Sequence, residues 1–462
     1  MNMPKIIPAL AVAFVATGCV TAPNLPTYKA KLAADFANAS ATRAEPVAEF
    51  WRGFGDANLD ALVDQAIKAN ADLRIAGANL REARALANFA DAQNKPVIGA
   101  TADVARVRAR DSQGKAQTNN VFATGLGVAW EADLFGRFSS ERQAATAQVL
   151  ASEALVRAAQ VSVASEVARN YFELRGLQEQ LRVAKASLET QRAALKLVEA
   201  RLTVGRGSAF DTERASALVQ TTAAIIPSLE TALIRTRYRI AVLTGQLPNA
   251  LDSQLAAQKP LPGIKPVALA NIGSPENLLR RRPDVAAAEQ QVAAAAARIG
   301  IARSELFPRL TLGGTLGLNA GRIGDLGKSA SFVYDLGASL LWTLLDFGRN
   351  RAQIAAASAR GEAAVIAYEK AVLLALEETE GALAAYTRTQ RQTESLFGAA
   401  QSASNAADIA RARFSAGTSD FLAVLDAERE LLAARDRLAQ AQTSGATSLV
   451  AVYKTLAGGW KP

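Results

Sequence analysis

One interval recurs along this chain and dictates what it can become. Asp72, in the run Asn70-Ala71-Asp72-Leu73, stands 212 residues before Asp284, in Arg282-Pro283-Asp284-Val285. The same interval separates Pro96 from Pro308, Trp130 from Trp342, Phe135-Gly136-Arg137 from Phe347-Gly348-Arg349, and Ala200-Arg201 with Gly205 from Ala412-Arg413 with Gly417. Self-similarity at one fixed offset marks two copies of a single supersecondary unit. The chain therefore divides into repeat one (56–245) and repeat two (276–459). A linker (246–275) carrying Pro248, Pro260, Pro262, Pro266 and Pro275 joins them.

Each repeat shows the same order: a helix, two strands, a very long helix, then a return helix. Period-two alternation, which places every second side chain on one face, predicts strands at about 97–108 and 121–133 and again at about 309–318 and 332–345. In repeat two, Leu310, Leu312, Leu316 and Leu318 oppose Thr311, Gly313, Thr315 and Gly317, while Phe332, Tyr334, Leu336, Ala338, Leu340, Trp342 and Leu344 share one face. Aromatics toward the ends of the last strand suit a sheet crossing two membrane interfaces. A soluble sandwich face could alternate in the same way, but no apolar stretch near ~20 residues is evident, which tips the balance toward a barrel. Four strands cannot close one, and open edges are not tolerated in lipid. Two or three chains must then combine, and three, giving ~12 strands, leave room for a water channel.

From Arg137 to about Leu202 no proline interrupts, and glycine appears once, at Gly176. At ~1.5 Å per residue this predicts a helix of roughly 100 Å (about 137–203), far longer than the ~30 Å hydrocarbon layer, so it must project out of the membrane. Val163, Val167, Asn170, Leu174, Leu177, Leu181, Ala184, Leu188, Gln191, Leu195, Val198 and Leu202 form a coiled-coil seam with two polar interruptions. The second long helix (about 349–415) has a weaker seam. Reversals are expected at Gly205 and Gly417, where glycine supplies the backbone angles of a tight turn. Return helices follow at about 208–244, kinked by Pro227, and about 420–456.

Histidine is absent and Cys19 is the one cysteine among 462 residues. Ser-His-Asp and Cys-His chemistry, most zinc sites and an internal disulfide are thereby excluded. Asp346-Phe347-Gly348 imitates a kinase metal-binding tripeptide, but the His-Arg-Asp loop that must accompany it cannot exist here. Neither a cofactor nor a metal is expected, and an enzyme is disfavoured.

Met1 to Lys5 carries one positive charge, Ile6 to Ala16 is almost wholly apolar, and Thr17-Gly18-Cys19 follows. So short an apolar run behind a basic start reads as a secretory signal (1–18) rather than a span. A small residue before a lone cysteine resembles a bacterial lipoprotein signal, with Cys19 acylated and 19–55 an anchored extended segment. Val20, in place of an aspartate, points to the outer membrane. The net charge of +9 raises nucleic acid as a partner, but the basic residues are interleaved with acids along helices and read as solvated faces.

Trp51-Arg52-Gly53-Phe54-Gly55-Asp56-Ala57-Asn58-Leu59, Trp130-Glu131-Ala132-Asp133-Leu134-Phe135-Gly136-Arg137, Leu278-Leu279-Arg280-Arg281-Arg282-Pro283-Asp284-Val285 and Leu422-Ala423-Val424-Leu425-Asp426-Ala427-Glu428-Arg429 together resemble the TolC-type outer-membrane efflux channels. The likeness is to the lipoprotein branch that serves resistance-nodulation-division pumps. It implies a mixed α and β membrane protein: a homotrimer whose twelve-stranded barrel, four strands per chain, continues into a periplasmic coiled-coil barrel. The linker would contribute to a belt near mid-tunnel. It further implies a periplasmic adaptor and an inner-membrane pump as partners, an acyl anchor in outer-membrane lipid, and helical tips closed at rest. In the matching return helix Leu422 corresponds to a hydrophobic ring, Asp426 to an acidic ring and Arg429 to its basic neighbour, with Asp420 at the tip a weaker candidate. Rings of aspartate and leucine around a narrow axis would bind cations and hinder water, whereas the bland alternative is a solvated Asp-Arg pair. Ala423 stands where some relatives carry a second acidic residue, and soft-metal export is disfavoured because both methionines precede Cys19. The expected function is the exit duct of a tripartite efflux pump. The alternatives are the channel of a type I secretion system, or a periplasmic coiled-coil adaptor, which would need one hairpin and a lipoyl-like domain rather than two strand pairs.

Overall fold

A computed structural model describes residues 23–25, 32–38, 49–110, 112–261 and 274–456. The expected signal, the acylation site Cys19 and much of the linker lie outside these residues. The order of elements is a 3-10 turn (Phe50–Phe54), α1 (Ala57–Ala69), α2 (Ala71–Gln93), β1 (Val97–Arg110), β2 (Ala116–Ala132), α3 (Arg137–Thr203), α4 (Ala209–Leu243), α5 (Asp252–Ala256), α6 (Pro275–Arg281), α7 (Pro283–Ser304), β3 (Arg309–Ala320), β4 (Phe332–Leu341), α8 (Arg349–Ser415) and α9 (Phe421–Thr455).

Two compact units divide these elements. One holds Asn79–Glu153 and Ala287–Glu369, and the other holds Ala154–Ala286 and Lys370–Pro462 together with Ala30–Ala78. In the first, β1-β2-β3-β4 form one antiparallel sheet in sequence order. Val97 stands opposite Ala129 in the β1–β2 pair, and their counterparts Arg309 and Leu341 stand opposite each other in the β3–β4 pair. The side chains of β1 and β4 are exposed throughout, as a sheet that meets lipid on one face and a lumen on the other requires. Gly125 lies across from Gly317, and a β-carbon on Gly125 would come within 2.9 Å of the Leu316 carbonyl oxygen.

The strand ends differ from expectation at three places. The first hairpin pairs out to Arg110 opposite Ala116, so β1 and β2 extend through residues read as a polar connection. Arg106, Arg108 and Arg110 stand opposite Asn120, Thr118 and Ala116, an alternation that is still strand geometry once backbone groups are paired. β3 extends to Ala320 because the register of the central pair reaches Phe122. At the other end β4 stops at Leu341, short of the expected 345: its partner β3 begins at Arg309, and nothing remains for Trp342 to pair with. The Trp342 indole instead donates to the Leu306 carbonyl at 3.0 Å.

In the second unit the core gathers Trp51, Leu59, Leu62, Val167, Tyr171, Phe172, Leu174, Ile240 and Leu255. The polar seam residues Asn170 and Gln191 are buried with the apolar ones. Helix starts are capped by side chains: Asp56 accepts from the Asn58 amide at 2.9 Å, Asn70 from the Asp72 amide at 2.8 Å, and Ser208 from the Phe210 amide at 3.2 Å. Each cap satisfies a donor that the first helical turn leaves free.

One expectation needs correction. An 18-residue window within α4 reaches a mean hydropathy of 1.4, enough by length and composition to cross a membrane. The helix nonetheless commits Ala215, Leu218, Val219, Leu233 and Ile240 to packing within its unit, and Arg214, Arg235, Arg237 and Arg239 share its length.

Candidate functional site at the helical tips

Two hairpin tips lie in the second unit, one where α3 turns into α4 and one where α8 turns into α9. Both reversals have the same construction. Gly205 adopts φ 69° and Gly417 φ 74°. The Arg206 amide donates to the Arg201 carbonyl at 2.8 Å, and the Thr418 amide to the Arg413 carbonyl at 3.0 Å. These are six-to-one closures that satisfy the last carbonyls of a helix. Side chains other than glycine are strained at such φ values, which explains why glycine recurs at the offset.

The first turns of α9 carry the candidate gate. Leu422, Asp426 and Arg429 are exposed and follow spacings of four and three, so they form one stripe of the helix. Phe421, Val424, Leu425 and Glu428 form the opposite, buried face. Asp420 has a structural duty, because it caps α9 by accepting from the Ala423 amide at 3.2 Å. Leu422 is 37% exposed, an apolar side chain left open beside charged neighbours. Among the described residues neither Asp426 nor Arg429 is engaged in an ion pair, so the solvated Asp-Arg pair is not formed within the chain. Both charges are available to whatever faces them.

Two features escaped the reading of the sequence. The first is Arg201, near the end of α3. Its guanidinium donates to the Phe414 carbonyl at 3.0 Å and lies over the Phe414 ring at 4.0 Å from the centroid. A cation at the C-terminal end of α8 is favoured by the helix dipole, and it ties the tip of repeat one to that of repeat two. Around it pack Val198, Ala215, Leu218, Phe414, Phe421, Val424 and Leu425. The offset match of Ala200-Arg201 to Ala412-Arg413 flagged the residue but not its target.

The second is Glu428, which is buried, with Arg411 of α8 at 3.4 Å. Burial pushes its carboxyl above the usual glutamate range, against the pull of Arg411 and Arg435. Glu428 continues the buried spacing Phe421, Val424, Leu425, Leu431, and that spacing was the available signal.

Comparison with known proteins follows the same division into repeats. A family model described as "Outer membrane efflux protein" matches residues 62–246 and 274–458. The pyoverdine export outer membrane protein OpmQ of Pseudomonas aeruginosa is 32% identical over 426 residues, covering 90% of this chain and 89% of its own length. The outer membrane protein OprJ of the same organism is 32% identical over 463 residues, covering 98% and 96%. Among solved structures, the outer-membrane channel OprN superposes with a TM-score of 0.90 at 38% identity, spanning 96% of this chain and 100% of that one.

Proposed function

Because this chain belongs to the outer membrane efflux protein family, we propose that it forms, with two further copies of itself, the exit duct of a tripartite pump. Efflux through the outer membrane is its activity, and it is a channel rather than an enzyme. The observation that carries the trimer is the sheet. β1 and β4 each present one edge that pairs with nothing among the described residues, and lipid does not tolerate unpaired backbone groups. Three copies supply about twelve strands, wide enough for a water-filled lumen.

In this proposal an acyl chain on Cys19 supplements the barrel as an anchor. The helical tips receive solute from a periplasmic adaptor and an inner-membrane pump of the resistance-nodulation-division type. Leu422 closes the resting tip against water, while Asp426 and Arg429, without an ion pair among the described residues, engage groups on neighbouring copies. Asp420 holds the start of α9 in place, and Gly205 and Gly417 permit the turns that bring these residues to the end of the tube.

The test is conduction by the purified full chain in planar bilayers, with oligomer mass measured in detergent. A trimer that opens discrete ion-conducting levels is expected. A stable trimer that fails to conduct even after substitution of Asp426 and Arg429 would overturn the duct.

A further inference from the structure

The two faces of the sheet differ in chemistry. Residues directly opposite in an antiparallel pair share a face, so Ala100, Leu126, Leu316 and Tyr334 form one row across all four strands. The face they mark is the apolar one, and in the duct proposed above it is the face that meets lipid. The other face holds every acidic residue of the four strands: Asp103, Glu131 and Asp335.

At one end the apolar face changes character. Val104 stands opposite Phe122, and near that level on β4 the rings of Phe332 and Tyr334 have centroids 6.3 Å apart. Aromatic side chains at the margin of an apolar band sit among lipid headgroups. Beyond Val104 the same face of β1 carries Arg106, Arg108 and Arg110, whereas the reverse face at those levels carries Ala105, Val107 and Ala109. A hairpin standing in water alone would have no reason to send all its cations to one side. α2, α3, α7 and α8 join the strands at their opposite ends, so in the duct the arginines lie at the outward end of the barrel.

We propose that Arg106, Arg108 and Arg110 form a lipid-binding ladder that holds the phosphate groups of glycolipid in the outer leaflet. The proposal rests on the duct reading for which face meets lipid, and it adds a ligand outside the conduction path.

Spacing, chemistry and availability all suit that ligand. Alternate residues lie about 6.6 Å apart along a strand, so the three arginine stems cover about 13 Å, starting at the aromatic level. Each long side chain can lay its methylenes on the apolar band while its charged end stays in the headgroup layer. A planar guanidinium grips phosphate through two parallel hydrogen bonds, which an ammonium does not reproduce, and this face of the strands uses arginine alone. Among the described residues the side chains of Arg106 and Arg108 make neither a hydrogen bond nor an ion pair, and Arg110 donates to the Gly114 carbonyl at 2.8 Å across the turn. Asp103 faces the other way, so no strand carboxylate competes for the guanidinium groups. A headgroup held in the leaflet by its own acyl chains arrives beside Arg106 already aligned, because the apolar band ends directly beneath it.

The test is lipid retention by the full-length oligomer in uncharged detergent, read by native mass spectrometry. Bis-phosphorylated lipid A is titrated in, with enzymatically dephosphorylated lipid A and phosphatidylglycerol as comparisons. The wild type is expected to retain the bis-phosphorylated form, less so as salt is raised. The triple variant Arg106→Gln, Arg108→Gln, Arg110→Gln is expected to lose at least about tenfold in apparent affinity, and Arg108→Gln alone, which disturbs assembly least, about fivefold. Conductance is expected to stay at the wild-type level in both. A conducting oligomer of either variant that binds lipid A as tightly as the wild type would overturn the site. Equal affinity of the wild type for dephosphorylated lipid A would mean that acyl chains alone are read, and equal affinity for phosphatidylglycerol that any anionic lipid suffices. Either result overturns the assignment to glycolipid phosphate while leaving the duct intact. A wild-type chain that neither assembles nor conducts would overturn the duct, and the ladder with it.

Discussion

Gly176 of α3 faces Thr443 of α9 so closely that a β-carbon built on the glycine would lie 1.9 Å from the threonine hydroxyl oxygen. Gly176 is the only glycine within α3, and this crossing accounts for it. Glycine in a helix interior costs about 1 kcal/mol against alanine, so removing it would be favourable if space allowed. It does not. Gly176→Ala is expected to destabilise the folded chain by about 1–3 kcal/mol, the usual penalty of overpacking, read as a lower denaturation midpoint in detergent. Thr443→Gly removes the atoms that clash and should recover part of the loss. Strict additivity of the two substitutions would show that the helices do not touch there.

At the tip, Asp426 and Arg429 share a stripe with Leu422 but form no ion pair among the described residues. If their partners lie on neighbouring copies, removing both charges unties the resting tip. Asp426→Ala with Arg429→Ala is expected to raise resting conductance in planar bilayers, with the oligomer intact. Conductance unchanged from wild type would sink the assignment of these residues to the gate.

Much of this architecture was legible because period two and the offset of 212 are properties of the chain alone. Trp130 and Trp342 marked equivalent places at the strand ends before any pairing was known, and Gly205 and Gly417 marked the reversals. Strand ends were less legible, because they depend on the partner. Arg110 is in a strand since Ala116 lies opposite, and Trp342 is not, since β3 begins too late. Arg201 and Glu428 were missed for a related reason. A charged side chain in a long helix reads as solvated until the neighbouring helix is placed, and only then does Arg201 meet the end of α8 or Glu428 fall into the buried face of α9.

Glu428 makes the tip hairpin sensitive to pH with a definite sign. Its folded-state pKa is raised above the ordinary 4.5, so between these two values the folded chain holds a proton that the unfolded chain has released. Stability therefore falls as pH rises through that window, and above it Glu428 stays charged with one carboxylate oxygen lacking a hydrogen-bond donor. Glu428→Gln should raise the melting temperature at neutral pH and flatten its fall across the window. A variant that melts earlier than wild type at neutral pH would mean that the 3.4 Å contact with Arg411 outweighs the cost of burial.

Cys19 can be tested independently of the barrel. Acylation anchors a protein through hydrocarbon burial worth about 0.8 kcal/mol per methylene, whereas a closed sheet is held in the bilayer by its apolar outer band and paired backbone. The two devices act on different parts of the chain. Cys19→Ser is therefore expected to abolish incorporation of labelled palmitate, while the protein that still reaches the membrane forms a conducting oligomer. Palmitate labelling that persists in this variant would refute the anchor, since no other cysteine exists in the chain. Loss of the oligomer together with the label would show instead that the acyl chain is required for strands of separate copies to meet.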